Sequence, residues 1–139
     1  MSIKLKNQYF ETIAANQTTF NEILNKPFPA KIGYWIGRAV DKIQSQNRIY
    51  FEAKTRLARQ YAQMDDKGNP RINPDGTVIW ANQEAGLTFM KELDELQNIE
   101  IELNGMNEIE VDLDLLEEKG ITISPIESML LPFLKPKSS

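Results

Sequence analysis

The chain contains neither cysteine nor histidine. Without cysteine, disulfides, thiolate zinc sites and cysteine nucleophiles are excluded. Without histidine, the chain lacks the commonest general base and the commonest metal ligand of proteins. No apolar run approaches the roughly 20 residues that a membrane-spanning helix needs. Polar Asn7 and Gln8 also stand where a signal peptide would have its apolar core, so we expect a cytoplasmic protein with no membrane partner.

The composition is that of an ordinary globular protein, with 139 residues, 41% hydrophobic and 26% charged. This length predicts a single domain over residues 1–139. The net charge of −4 is unevenly distributed, because residues 28–71 hold nine Lys/Arg and four Asp/Glu while residues 72–139 hold four and fourteen. Two interpretations stay open: a nucleic-acid face beside an acidic tail, or two halves of opposite sign that fold against each other.

The strongest periodic signal predicts one unbroken helix over residues 30–64. Apolar or small residues recur there at steps of three and four, which places them on one face of a helix. They are Ile36, Ala39, Ile43, Tyr50, Ala53, Leu57 and Met64, with Gln46 and Gln60 at the two missing positions. The predicted fold class is therefore α+β, mainly α, with a long antiparallel helical hairpin or bundle and a small β region in the C-terminal third.

Two further helices are expected to pack against the long one. Residues 8–25 form the first and end at Pro27 and Pro29; residues 82–97 form the other, capped by Asn82. Between them, Asn73-Pro74-Asp75-Gly76 has the residue preferences of a type I turn. Residues 8–97 would thus be a helical hairpin with a tip loop or β-hairpin at 65–80.

From residue 98 the apolar period changes from 3.6 to 2. Residues 99–103 and 109–113 alternate Ile, Leu or Val with acidic residues, which predicts a β-hairpin with an acidic solvent face around Asn104-Gly105. A helical turn at 113–119, a third strand at 121–123 and a short helix opened by a Ser124 capping box complete residues 98–134. Residues 135–139 are expected to be a frayed tail.

No residue pattern indicates catalysis, a cofactor or a metal. The acidic residues of the predicted strands alternate with apolar ones, which predicts exposure to solvent rather than a shifted pKa. Asp65–Gly76 lacks the ligand spacing of a calcium loop, because Lys67 and Gly76 occupy ligand positions. Gly33 and Gly37 lack the Lys-Ser/Thr ending of a phosphate loop and are interpreted as allowing close helix approach.

A basic stripe on the long helix is the candidate site. Arginine with aromatic residues is typical of protein interfaces and also of single-stranded nucleic-acid binding. A purely structural interpretation stays open, in which Glu52 pairs with Arg56 and acidic strands dock on the stripe. The candidate residues are Tyr34, Trp35, Arg38, Lys42, Arg56 and Arg59.

Several segments together resemble a family of small uncharacterised bacteriophage and prophage proteins. The segments are Lys4–Asn7, Leu24–Lys31, IGYWIGRAVDKIQ, FEAKTRLARQYAQMDDKGNP, MKELDELQNIEIEL and SPIESMLLPFL. The resemblance covers nearly the whole chain, although Trp35 and residues 71–80 depart from the usual pattern. It implies a phage product made in the host bacterial cytoplasm, and it supplies no activity and no functional residues.

We therefore expect a phage-encoded, non-enzymatic protein that binds another protein of host or phage. It would act as a virion-assembly adaptor or chaperone, or as an inhibitor of a host protein. The alternative is a nucleic-acid-binding accessory protein that uses the basic stripe. The long helix also admits a homodimer, because its flanking helices need not cover every apolar position.

Overall fold

A computed structural model describes residues 2–137 of the chain. The described residues confirm an α+β fold that is mainly helical and contains one long helix. The helices are α1 Gln8–Ala15, α2 Gln17–Leu24, α3 Ala30–Tyr61, α4 Gln83–Gln97, α5 Leu113–Glu118 and α6 Pro125–Leu130. The strands are β1 Ser2–Lys6, β2 Glu100–Asn107, β3 Ile109–Val111 and β4 Leu134–Pro136.

The chain divides into two compact units. The mixed unit comprises residues up to 46 and from 100 onward, and the hairpin unit comprises residues 47–99. The sequence predicted a different internal division, with a helical region at 8–97 followed by a β region at 98–134. The mixed unit instead joins the two ends of the chain.

The strand pairing of the mixed unit corrects the predicted β-hairpin. Strand β2 pairs antiparallel with β1, with Leu5 opposite Ile101, and β3 pairs parallel with β4. Strand β1 was missed, although buried Ile3 and Leu5 alternate with exposed Lys4 and Lys6 as in any half-buried strand. Strands β2 and β3 are adjacent in sequence but do not pair with each other, because their partners are β1 and β4, near the two ends of the chain.

Asn104-Gly105 lies inside β2 instead of forming a hairpin turn. The register of β2 against β1 shifts between Leu103, opposite Ile3, and Asn107, opposite Ser2. Gly105 has a φ of 77°, which an L side chain rarely adopts. The irregularity turns Met106 into the core, where it is 1% exposed. Asn-Gly thus produces a bulge here, and the prediction of a turn was wrong.

The predicted helix over residues 8–25 is two helices. Asn16 leaves the helical conformation, with φ of −126° and ψ of 36°. Its side-chain amide donates to the carbonyl of Thr12 at 2.9 Å, which competes with the helical backbone hydrogen bonds. The break changes the helical phase, so Ile23 is fully buried whereas Leu24 is only half-buried.

The C-terminal residues confirm the predicted caps and correct two other predictions. Ser124 and Glu127 form the full capping box at the start of α6. Residues 121–123 are not a strand. Residues 135 and 136 belong to β4 instead of a frayed tail, because β4 has β3 as a partner. Lys137, also predicted as tail, donates its backbone N–H to Val111 O at 2.8 Å, and residues 138 and 139 lie outside the described residues.

The core of the mixed unit draws on both ends of the chain and on the first part of α3. The buried apolar residues are Ile3, Leu5, Phe10, Ile13, Phe20, Ile23, Ile36, Ala39, Val40, Ile43, Leu103, Met106, Ile109, Val111, Leu116, Ile121, Leu130, Leu131 and Phe133. Helix α3 accordingly buries Ile36, Ala39 and Ile43 as its period predicted.

In the hairpin unit, α3 and α4 run antiparallel. The Tyr61 hydroxyl donates to Glu92 at 3.0 Å, and the Gln97 amide donates to the Tyr50 hydroxyl at 3.3 Å. Helix α3 ends at Tyr61, three residues before the predicted end, and Met64 is exposed. The predicted cap is confirmed, since the Asn82 side chain accepts from the Ala85 amide at 2.7 Å.

The segment between α3 and α4 is closed by a ring of three backbone hydrogen bonds. Gln63 N–H donates to Ile79 O at 2.8 Å, Ile79 N–H to Arg71 O at 2.9 Å, and Arg71 N–H to Gln63 O at 2.8 Å. We call residues 61–81 the three-segment loop. The predicted tip β-hairpin accounts only for the Ile72–Val78 pairing, because each segment bonds to both others.

Two equivalent turns, eight residues apart, connect the three segments. Gly68 N–H donates to Asp65 O at 3.1 Å, and Gly76 N–H donates to Asn73 O at 2.9 Å. Both glycines have positive φ, 79° and 90°. This is the three-residue hairpin loop, a type I turn followed by a left-handed glycine. This repeat of the turn was not predicted from the sequence.

Trp80 fixes the end of the three-segment loop on α4. Its ring lies 4.4 Å from that of Phe89. A Cβ at Gly86 would lie 2.8 Å from Trp80 Cδ1, so only glycine allows the indole this position. Gly33 and Gly37, interpreted as allowing close helix approach, leave nothing within 4 Å of an added Cβ. That interpretation was wrong, and the close approach is at Gly86.

We predict that Gly86→Ala destabilises the protein by up to about 2 kcal/mol. The added methyl group displaces Trp80, at a cost of about 1–3 kcal/mol, and the gain in helix propensity of about 1 kcal/mol offsets only part of it. The matched control is Gly37→Ala, which gains propensity without a clash and should stabilise by up to about 1 kcal/mol. Urea unfolding measures both, and equal stability of the two variants would contradict the prediction.

Candidate interaction surfaces

Tyr34, Trp35 and Arg38 form one exposed cluster on the first turns of α3. The two rings meet edge to face at 5.3 Å between centroids. The Arg38 guanidinium lies 6.0 Å from the Tyr34 ring and 5.5 Å from the Trp35 ring, within cation–π range of both. Tyr34 is 58% and Trp35 37% exposed. Helical spacing creates this cluster, because position 38 lies four residues after 34 and three after 35.

A cavity of about 420 Å³ adjoins the cluster in the mixed unit. Trp35 and Ile32 form one wall, and the connection between β2 and β3 forms the other, with Ile109 on its apolar side. Lys31, Glu108 and Glu110 supply charge of both signs around it. The lining combines apolar and charged side chains, as do surfaces that receive a side chain of another protein.

Lys42 was predicted as part of the same stripe, and its environment differs. It is half-buried and lines a cavity of about 210 Å³ together with Glu102 and Asn104 of β2. An acidic strand therefore lies beside this lysine, as the structural interpretation of the stripe expected.

Arg56 and Arg59 lie in the hairpin unit and line a shallow depression with Arg48 and Phe51. Glu52 pairs with Arg48 at 3.4 Å and not with Arg56, so the predicted Glu52–Arg56 pair is wrong. Both pairs have the spacing of four residues, and spacing alone could not choose between them. Within residues 2–137 the Arg56 and Arg59 side chains have no ion-pair partner, whereas Arg48, which was missed, has one.

Glu127 is the one buried carboxylate among residues 2–137. Lys26 pairs with it at 2.9 Å, and the backbone N–H of Ser124 donates to it at 3.0 Å. Burial raises its pKa, but the hydrogen bonds from Lys26 and Ser124 outweigh burial and hold the pKa of Glu127 below its usual value. Lys26 also donates to Thr122 O, so the pair ties the end of α2 to α6.

Other polar groups of the mixed unit and of the loop serve local structure as well. The Tyr9 hydroxyl donates to Leu130 O, and burial raises the pKa of Tyr9. Asp65 accepts from the backbone amides of Lys67 and Asn69, both at 2.9 Å. Hydrogen bonds from Thr77 lower the pKa of Asp75. Across residues 2–137, no three acidic side chains are grouped so that they could hold a metal ion.

Comparisons with protein-family models, with curated proteins and with solved structures found no match to this chain. The resemblance to phage and prophage proteins thus stays a prediction. Over residues 2–137, every helix is either too short or too polar to traverse a lipid bilayer.

We predict that Glu127→Gln destabilises the protein by about 1–3 kcal/mol at pH 7, because a charged hydrogen bond to Lys26 is removed. The folded-state pKa of Glu127 lies below the usual 4.5. The stabilisation that ionised Glu127 gives the folded protein is therefore complete above pH 4.5 and disappears as the pH falls through the lowered pKa. Urea unfolding of both proteins between pH 7 and pH 3 should show the difference shrinking.

The control for this experiment is Glu22→Gln, which changes an exposed glutamate on α2. We expect it to change the free energy of unfolding by less than about 0.5 kcal/mol at every pH. A Glu127→Gln effect that stays constant from pH 7 to pH 3 would contradict the ion-pair explanation.

Proposed function

We propose that this protein is a non-enzymatic binding protein whose contact surface is the Tyr34–Trp35–Arg38 cluster and the adjoining cavity. The observation that supports the proposal is the exposure of two aromatic rings in edge-to-face contact with an arginine over both. Trp, Tyr and Arg are the residues that most often dominate binding energy in protein interfaces.

The cluster is already ordered before any partner arrives. Each ring contacts the other, and Arg38 lies over both, so binding would cost less conformational entropy than it would for isolated side chains. Helix α3 holds all three residues on a rigid element, and Ile36 anchors the same turn in the core. Such a surface favours a specific contact over nonspecific adhesion.

The cavity beside Trp35 suggests how a partner would bind. Its volume of about 420 Å³ lies within the roughly 300–1,000 Å³ of known binding pockets. A large apolar side chain of the partner would contact Ile32 and Ile109, and a basic side chain beside it would pair with Glu108 or Glu110. This is the arrangement of an anchor residue surrounded by polar contacts.

The resemblance to phage proteins supplies the expected partners. We infer a host or phage protein, bound either as part of virion assembly or to inhibit a host function. An enzymatic role has less support, because the buried carboxylate of Glu127 is engaged by Lys26 and by the cap of α6.

The test is affinity capture from infected cells with the wild type and with Trp35→Ala/Arg38→Ala. The matched control is Leu87→Ala/Lys91→Ala, which removes another exposed apolar and basic pair from a helix surface. We expect the wild type and the control to capture the same protein. The cluster variant should bind that protein at least about tenfold more weakly, which is the usual effect at a hot spot. Identical capture by all three proteins would rule out this surface.

Nucleic acid is the second candidate, supported by Arg56, Arg59 and Phe51 around one depression. Stacking on an aromatic ring beside arginines is typical of single-strand binding. We expect a single-stranded oligonucleotide to bind with an affinity that falls with salt. Arg56→Glu/Arg59→Glu should reduce the logarithmic slope by about 0.7 for each phosphate that is no longer neutralised. Absence of binding at about 50 mM salt, measured by fluorescence anisotropy, would remove this candidate.

A further inference from the structure

A groove runs between α3 and α4 on one face of the hairpin unit. Each helix contributes four residues at the spacing i, i+3, i+4, i+7, so each presents one continuous row to the groove. The residues are Ala53, Arg56, Leu57 and Gln60 from α3, and Glu92, Glu95, Leu96 and Ile99 from α4 and its C-terminal end. We call this surface the α3–α4 groove.

The floor of the groove is apolar and only partly covered. Leu57 and Leu96 are half-buried, and Ile99 is 50% exposed. By contrast, Tyr50 and Phe89 of the same unit are buried. Two antiparallel helices alone leave one side of their apolar rows open, and the usual closure is a four-helix bundle.

The two walls of the groove have opposite charge. Arg56 stands on the α3 wall, and Glu92 and Glu95 stand on the α4 wall. Within residues 2–137, Arg56 and Glu95 form no ion pair. A twofold rotation places α3 of each copy against α4 of the other. The basic wall of each copy then faces the acidic wall of the other, so the surface is complementary to itself.

We propose that the α3–α4 groove is the interface of a homodimer, in which the hairpin units of two copies form a four-helix bundle. A twofold interface uses the same patch on both subunits, so each contact occurs twice. Arg56 of each copy then meets Glu95 of the other. The alternative pairing, α3 against α3, would bring the two Arg56 side chains together and is disfavoured by their repulsion.

The size of the groove predicts weak association. The sections of α3 and α4 in this unit are each about 22 Å long at 1.5 Å per residue. The two helices lie about 10 Å apart, and each covers a strip of about that width, so each copy presents a face of roughly 450 Å². This area is below the roughly 800 Å² that each partner buries in a standard interface. We therefore expect a dimer that forms at micromolar to higher concentrations. This inference is independent of the proposed function, which rests on residues of the mixed unit.

Charge exchange tests the pairing directly. Arg56→Glu makes both walls acidic, and Glu95→Arg leaves Arg56 facing a second arginine. Each variant alone should dimerise at least about tenfold more weakly than the wild type, because two attractive pairs become repulsive. Mixed in equal amounts, the two variants should form a heterodimer, because position 56 of each chain then faces the opposite charge at position 95 of the other. Native mass spectrometry distinguishes the heterodimer from either homodimer.

The apolar floor gives a second, independent measurement. Ile99→Asp places a charge on the apolar floor of the groove and should weaken dimerisation by more than about tenfold. Leu87→Asp is the matched control, because Leu87 is 66% exposed and lies outside the groove. Sedimentation equilibrium at protein concentrations from micromolar to about a hundredfold higher measures both, and circular dichroism verifies that both remain folded.

Two results would overturn the proposal. The first is a wild-type protein that stays monomeric throughout that concentration range. The second is a dimer whose stability responds equally to Ile99→Asp and Leu87→Asp, or whose charge variants fail to form the heterodimer. Neither result bears on capture through the Tyr34–Trp35–Arg38 cluster, which the variants leave intact.

Discussion

The apolar face of helix α3 is the constraint on which both units depend. Its apolar residues recur at steps of three and four along 32 residues, interrupted at Gln46 and Gln60, and no section of it is stable in water without a cover. The mixed unit covers its section with residues from both ends of the chain, and Ile36, Ala39 and Ile43 become fully buried there. The hairpin unit has only α4 and the three-segment loop, so Leu57 stays half-buried.

The parts of the fold that follow from local chemistry were predictable from the sequence. The period of the apolar residues predicted α3, and side-chain caps predicted α4 at Asn82 and α6 at Ser124. The Asn73-Pro74-Asp75-Gly76 pattern predicted its turn, in which Gly76 has a φ of 90°. In each case the interaction spans no more than four residues, so the relevant atoms are neighbours in any conformation of the chain.

The parts that depend on distant contacts were not predictable. The partner of β2 is β1, about a hundred residues away in sequence. An alternating apolar pattern predicts a strand but does not identify the strand with which it pairs. The same limit applies to the candidate surfaces. The Tyr34–Trp35–Arg38 cluster could be placed from helical spacing, whereas the cavity beside Trp35 requires the connection between β2 and β3. Equal spacing likewise left Glu52 with two possible arginines, and side-chain geometry chose Arg48.

The closure of the three-segment loop has a consequence for how this chain can change length. Ala81 N–H donates to Tyr61 O at 2.9 Å, so the end of α3 and the entry to α4 are already joined across the base of the loop. Everything between them is an insertion whose ends meet, and loop-closure entropy rises only slowly with added residues. Residues between Ala62 and Trp80 can therefore be lengthened or replaced while the two helices keep their junction, provided that Trp80 keeps its contact with Phe89.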